Sequence, residues 1–223
     1  MARPYRIGLT GNIACGKSTV LRELKRLGAA TLDADQVAHR AMRRGTAVYR
    51  AVVAAFGEDI LGPEGEIDRR TLGKIVFADP AALARLEAIV HPAVLAYTEE
   101  WLENVREEVA VIDAIKLFEA GIAERCDEVW VVICPQEEQL RRLVEYRGLS
   151  REEALLRIHA QPPQEEKAAR ADEVIDNSGT PEETLAQVRA AWARMQKRRR
   201  GHFSDSGEDM ASAISLQGPP RIN

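Results

Sequence analysis

Residues 5–21 read YRIGLTGNIACGKSTVL, a short apolar run that breaks into small residues and resumes as a leucine-bearing helical pattern. Gly11 and the Gly16-Lys17-Ser18 triplet fit the spacing G-x-x-x-x-G-K-[ST]. No other feature of the chain constrains its fold as tightly. A buried strand must deliver the backbone to a loop whose amides turn inward around an anion. A helix must then start there, so that its positive end adds to the attraction. In such a loop Lys17 neutralises nucleotide β/γ-phosphate charge and the Ser18 hydroxyl ligates Mg²⁺. The plain alternative is a glycine turn with a solvated lysine, and the strand before and helix after weigh against it.

The remaining pattern agrees with an α/β chain. Strands are expected at 5–10, 29–33, 109–114, 128–134 and 172–176, with helix-period stretches at 18–27, 81–90, 92–107, 136–147 and 181–195. Short apolar strands alternating with helices predict a five-stranded parallel sheet covered on both faces, the fold class of P-loop NTPases. Residues 35–107 contain no convincing strand and read as a helical insert placed to cover a ligand, while 136–170 read as a helical lid. Helix starts carry their own signals: Ser150 with Glu153 and Thr180 with Glu183 form capping boxes, and Asp79 precedes Pro80 as a cap. Residues 1–196 therefore form one domain. After it, 197–223 lose apolar periodicity and are expected to be a largely disordered tail, removable after Gln196 with little loss of turnover.

Charge narrows the partners. The formal net charge is −4, and the tail alone is locally basic, which argues against nucleic acid and acidic membrane as partners of the domain. Cys15, Cys126 and Cys134 form no C-x-x-C pair and suit free thiols in a reducing compartment. The opening residues are too short and polar for a signal peptide, so a cytoplasmic protein is expected, as a monomer or weak homo-oligomer. A GTPase would carry an N-K-x-D guanine reader, and that string does not occur.

The second strand ends in LDADQVAHR, which puts Asp33 at a strand's carboxyl edge beside the first strand, where open α/β sheets bind ligands. A carboxylate there can take a hydrogen bond from an acceptor hydroxyl and aim it at a terminal phosphate, or it can simply cap the helix starting near Ala34. GLTGNIACGKSTV, LDADQVAHR, DRRTLGKIVFADPAALARLEAIVHP and LRIHAQPPQEEKAARADEVIDNSGT, in this order over about residues 5–195, resemble the dephospho-CoA kinase family. The resemblance implies transfer of the ATP γ-phosphate to the ribose 3′-hydroxyl of dephospho-CoA, with Mg²⁺. It implies that Asp33 orients or deprotonates that hydroxyl. It also implies that Gly11, Asn12, Ala14, Cys15, Gly16, Lys17, Ser18 and Thr19 hold the nucleotide phosphates, and that Asn177 and Gly179 line the adenine pocket. Asp113, at the end of the third strand, matches a family carboxylate that holds a Mg²⁺-bound water, with helix capping as the other reading. His91-Pro92 matches the family's His-Pro without an assigned chemistry.

The chain departs from the family at Asn12, Ala14 and Cys15, which replace Gly, Gly and Ser. Ala14 should cost about 1 kcal/mol if that position needs φ > 0. Cys15, at a helix amino end beside Lys17, is expected to be a reactive thiol whose oxidation or alkylation blocks ATP. Lys116 either reaches the acceptor's pyrophosphate or is solvated. In the lid, Arg141, Arg142, Arg147 and Arg157 are available as mobile cations that close over the transferring group, and Arg142 is taken as the catalytic one. Two other readings remain at this stage: another P-loop kinase, for a nucleoside or sugar, and a nucleotide-dependent switch ATPase.

Overall fold

The computed structural model describes residues 3–214. Five strands, β1 (Tyr5–Thr10), β2 (Ala30–Asp33), β3 (Val109–Asp113), β4 (Glu128–Ile133) and β5 (Glu173–Asp176), pair in parallel in the order β2-β3-β1-β4-β5. Asp33 is therefore not beside the first strand as expected: β3 lies between β2 and β1, and the register sets Asp33 directly opposite Asp113.

Period-two alternation splits the sheet's side chains between two cores. Ala110, Ile112, Val129 and Val131 face one cluster and Val109, Val111, Trp130 and Val132 the other. The first core is closed by the insert helices α2 (Ala34–Ala41), α3 (Ala47–Phe56), α4 (Arg69–Ala78) and α5 (Pro80–Asn104). The second is closed by α1 (Lys17–Arg26) and by α9 (Pro181–Ile214), whose Val188, Ala191 and Met195 are buried there. A third, small cluster joins Leu143, Ala154 and Ile158 of the lid to Ile13 and Ala14 of the phosphate loop. The lid consists of α6 (Gln136–Arg147), α7 (Arg151–His159) and the short α8 (Gln164–Ala168).

Two elements differ from the sequence-based expectation. The stretches 81–90 and 92–107, read separately from the sequence, form one helix, and α5 runs unbroken through Pro92. An interior proline costs about 3 kcal/mol. Val90, Val94, Thr98 and Leu102, four residues apart and buried, offset that cost by fixing both halves to one core. The last helix likewise continues through Ile214, past the boundary placed at 197, and of the expected tail 215–223 lie outside the described residues. The basic run begins as an anchor. Arg198 donates to Glu128 at 2.7 and 3.0 Å and to Glu173 at 3.1 Å, and Arg194 adds two hydrogen bonds to Glu173.

That anchor carries a prediction. Cutting after Gln196 removes Arg198 from Glu128, which is 4% exposed and keeps only Tyr5 and Trp130 as partners. Because Arg198 is itself 42% exposed, the loss is about 1–2 kcal/mol and the melting midpoint falls by a few degrees. Turnover at 25 °C persists, since Glu128 and Glu173 start their strands, at the sheet edge away from the phosphate loop. Thermal melts of the truncated chain and of full-length Arg198→Met test this; unchanged midpoints in both contradict it.

Candidate active site

The phosphate loop has the backbone its task needs. Gly16 has φ +92° and precedes the first residue of α1, and a Cβ there would lie 2.0 Å from the Asn177 amide nitrogen. Gly11 is as tightly placed: a Cβ would meet the Val132 carbonyl oxygen at 2.4 Å. Ala14 has φ +60°, the only positive-φ non-glycine residue among those described, so the expected strain of about 1 kcal/mol is present.

Neighbouring elements hold the strained loop. The Asn177 side-chain amide donates to the Cys15 carbonyl at 2.7 Å while its oxygen accepts from Thr184 at 2.8 Å. Arg142 donates to the Ala14 carbonyl at 3.1 Å, the Asn177 carbonyl at 3.0 Å and Glu138 at 2.8 Å. Gln161 accepts from the Ile13 amide at 2.7 Å, and Asn12 donates to the Pro162 carbonyl at 2.9 Å. Arg142 is thus a brace between loop, lid and the end of β5, where a mobile cation was expected. Arg141 is spent on Glu138 and Glu145. Arg147 and Arg157 are exposed and make no ion pair among the described residues.

Cys15 does not fit the reactive thiol expected of it. It is fully buried in the α1–α9 core, its sulfur 3.4 Å from the Gln139 amide nitrogen. Its pKa is lowered chiefly by a hydrogen bond with the Cys134 thiol and less by Lys17, but a labelling reagent has no direct path to it. Lys116 pairs with Glu87 of α5 while its side chain stays 40% exposed, which agrees with the solvated reading more than with a pyrophosphate contact. Gly179 sits in the exposed turn before α9, against the Thr180–Glu183 capping box.

Around Lys17 three carboxylates converge. Lys17 Nζ lies 3.9 Å from Asp113 Oδ1, an oxygen that is buried and has no hydrogen-bond partner. Asp33 caps α2: its two oxygens accept from the Gln36 amide and side chain, both at 2.9 Å. Asp35 faces the Ile115 amide at 3.4 Å. Sequence reasoning missed Asp35, although it lies inside the quoted DAD. Beyond them, on the insert, a cavity of about 390 Å³ is lined by His39, Met42, Arg43, Glu66, Ile67 and Arg69.

Burial raises the Asp113 pKa to about 6; Lys17 opposes that rise while Asp33 and Asp35 reinforce it. A carboxyl whose folded-state pKa is raised binds its proton more tightly in the native than in the unfolded chain. Its contribution is therefore present at low pH and is lost as pH climbs from about 4 to about 6. The loss is on the order of 2 kcal/mol. Urea unfolding at pH 4.5 and 6.5 should show Asp113→Asn gaining stability relative to the parent at the higher pH. Equal differences at both pH values contradict the assignment.

The residues present fit Mg²⁺. This ion takes one or two protein groups and fills its octahedron with phosphate oxygens and waters. A Ser18 hydroxyl on the first turn of α1 and the unpartnered Asp113 oxygen suit that coordination. Among the described residues no group of three or more His, Cys, Asp or Glu forms a protein-only cage, which Mg²⁺ does not require. Among them, too, no helix is long and apolar enough to cross a membrane.

Parallel sheet, strained glycine loop at a helix start and acidic groups on adjacent strand ends together define a P-loop kinase of small molecules. A model of the dephospho-CoA kinase family (CoaE) matches residues 5–183. The dephospho-CoA kinase of Geobacter sulfurreducens is 54% identical over 191 residues, 84% of this chain and 97% of that protein. A crystal structure of a Thermus thermophilus protein superposes with a TM-score of 0.76 at 39% identity, covering 86% of this chain and 98% of the other. The dephospho-CoA kinase of Campylobacter jejuni superposes at 0.62 with 29% identity, covering 87% and 98%. The chain belongs to the dephospho-CoA kinase family, whose members carry out the ATP-dependent phosphorylation step of coenzyme A synthesis.

Proposed function

We propose that this chain phosphorylates the ribose 3′-hydroxyl of dephospho-CoA, with Asp33 presenting the hydroxyl and the loop 11–19 holding ATP. The observation that carries the reading is the register of β2 on β3, which sets the Asp33 and Asp113 strand ends side by side, with Lys17 reaching Asp113. A carboxylate offers about four lone-pair sites, and Gln36 uses two of those on Asp33. The remaining two are available to a hydroxyl, so helix capping and catalysis are compatible in one side chain. The transition state of phosphoryl transfer is loose, so fixing the hydroxyl in line with the γ-phosphorus counts for more than a strong base.

Lys17 and the loop amides stabilise charge on the transferring group and the leaving ADP. Ser18, and Asp113 through a water, would hold Mg²⁺, which would supply further neutralisation of the phosphate oxygens. Adenine lies toward the turn 177–179. There Asn177 keeps the loop in shape and Arg142 presents its guanidinium along the loop, 3.3 Å from the position of a Cβ on Gly16. The acceptor's pyrophosphate and pantetheine arm run from Asp33 toward the insert cavity with Arg43 and Arg69.

Nucleoside and sugar kinases remain distinguishable by experiment. ATP is offered with dephospho-CoA, adenosine or gluconate, and ADP release is followed by a coupled assay. Rapid ADP release with dephospho-CoA alone, and a 3′-phosphate in the product, are expected. ADP release without an acceptor, or equal release with adenosine or gluconate, would sink the reading.

A further inference from the structure

Lys167 is the buried charge that the scheme above leaves without a task. It lies on α8, is 5% exposed, and carries three N–H donors, of which the structure uses one. That one goes to the Ile115 carbonyl at 2.9 Å, an oxygen that also accepts from Thr10 at 3.2 Å. No carboxylate forms an ion pair with it among the described residues. Burial lowers its pKa and the ammonium groups of Lys17 and Lys116 push the same way, against a pull from Glu119 and the Cys15 sulfur.

A backbone carbonyl does not balance a buried ammonium. Desolvating such an ion costs several kcal/mol unless an opposite charge arrives. A neutral amide would brace Ile115 equally well at less cost. The position of Lys167 says where the missing anion belongs. The segment 161–167 packs along the phosphate loop: Gln161 holds the Ile13 amide, the Pro162 carbonyl holds Asn12, and Gln164 lies one turn before Lys167, 3.9 Å from the Cys15 sulfur. Thr10 is the last residue of β1 and Ile115 follows β3 by two positions, so the ammonium sits where those two strands open toward Lys17.

We propose that Lys167 is a second phosphate-gripping lysine, whose two unused donors bind the γ-phosphoryl group of ATP opposite Lys17. This rests on the ATP site proposed above. It makes Lys167 a catalytic residue of the transfer and couples the lid to the presence of a third phosphate. It also means that ADP, lacking that group, leaves the ammonium unpaired and is released more readily.

The test compares the non-hydrolysable β,γ-imido analogue of ATP with ADP, by calorimetry with Mg²⁺, on the parent, Lys167→Met and Lys167→Arg. Loss of a charge-assisted contact should weaken analogue binding about 10- to 100-fold in Lys167→Met, while ADP affinity stays within about threefold. Lys167→Arg should recover part of the difference. Equal weakening of both nucleotides, with a lower melting midpoint, would mean that Lys167 merely props Ile115 and would overturn the proposal. If Lys167→Met does not fold, the parent's complex with the imido analogue decides. A γ-phosphate oxygen within about 3 Å of Nζ is expected, and an ammonium still bound only to Ile115 contradicts it. A parent that binds neither nucleotide would instead refute the ATP site itself.

Discussion

Lys17→Ala should lower kcat/KM by about 10³-fold or more while the chain stays folded. Lys17 supplies the one ammonium that both follows the glycine turn and reaches a strand-end carboxylate, 3.9 Å from Asp113. Its removal has two consequences with the same sign. The transferring phosphate loses a fixed cation whose side chain is only 12% exposed, and a charge so placed counts for more than one in bulk water. Asp113, already pushed up to about 6 by burial, loses the group that opposes that rise and shifts further toward its protonated form. Mg²⁺ dependence should therefore worsen together with turnover, and higher pH should recover part of it. ADP release in the coupled assay and a thermal melt are the measurements. Activity within tenfold of the parent would show that the loop binds phosphate without this lysine.

Asp33→Asn should cost about 10²- to 10⁴-fold in kcat with a small change in the KM for ATP. This substitution separates Asp33's two duties. Asparagine caps helices as well as aspartate, so α2 should persist, with the Gln36 amide turning over to meet the new NH₂. What disappears is a charged acceptor for the substrate's hydroxyl. A large loss of kcat in a protein that melts normally assigns Asp33 to chemistry. Full activity, or a loss matched by unfolding, assigns it to the cap alone.

Much of this arrangement was legible in the sequence because it depends on local rules. The loop pattern dictates a strand, a positive-φ turn and a helix start, and φ +92° at Gly16 and +60° at Ala14 follow from it. The capping boxes at Ser150 and Thr180 span only four residues each and formed as read. Strand order was not legible. Nothing local in VAVID says that it inserts between the first two strands, so Asp33 was placed one strand too close to the loop.

The same limit explains the arginines. A sequence shows that Arg142 is near the lid's start, but its partners Ala14 and Asn177 are 128 and 35 residues away. Its conversion from clamp to brace is a tertiary event. Arg198 looked like one cation of the run KRRR, 197–200, because Glu128 and Glu173, which neutralise it, lie on two different strands. Lys167 was visible inside QEEKAARAD, yet only burial without a counter-charge distinguishes it from a solvated helix lysine. The stretches 81–90 and 92–107, separate in the apolar pattern, join through Pro92 because tertiary packing along α5 outweighs the proline's local cost.

The whole scheme reduces to an alcohol held by one carboxylate in front of a phosphate held by one loop. A crystal structure of the chain with dephospho-CoA, the imido analogue of ATP and Mg²⁺ tests this directly. The ribose 3′-oxygen should lie within hydrogen-bond distance of Asp33 and about 3–3.5 Å from the γ-phosphorus, opposite the bridging nitrogen. An Asp33 carboxylate turned away from the ribose, with another group or bulk water facing the γ-phosphorus, would contradict the account.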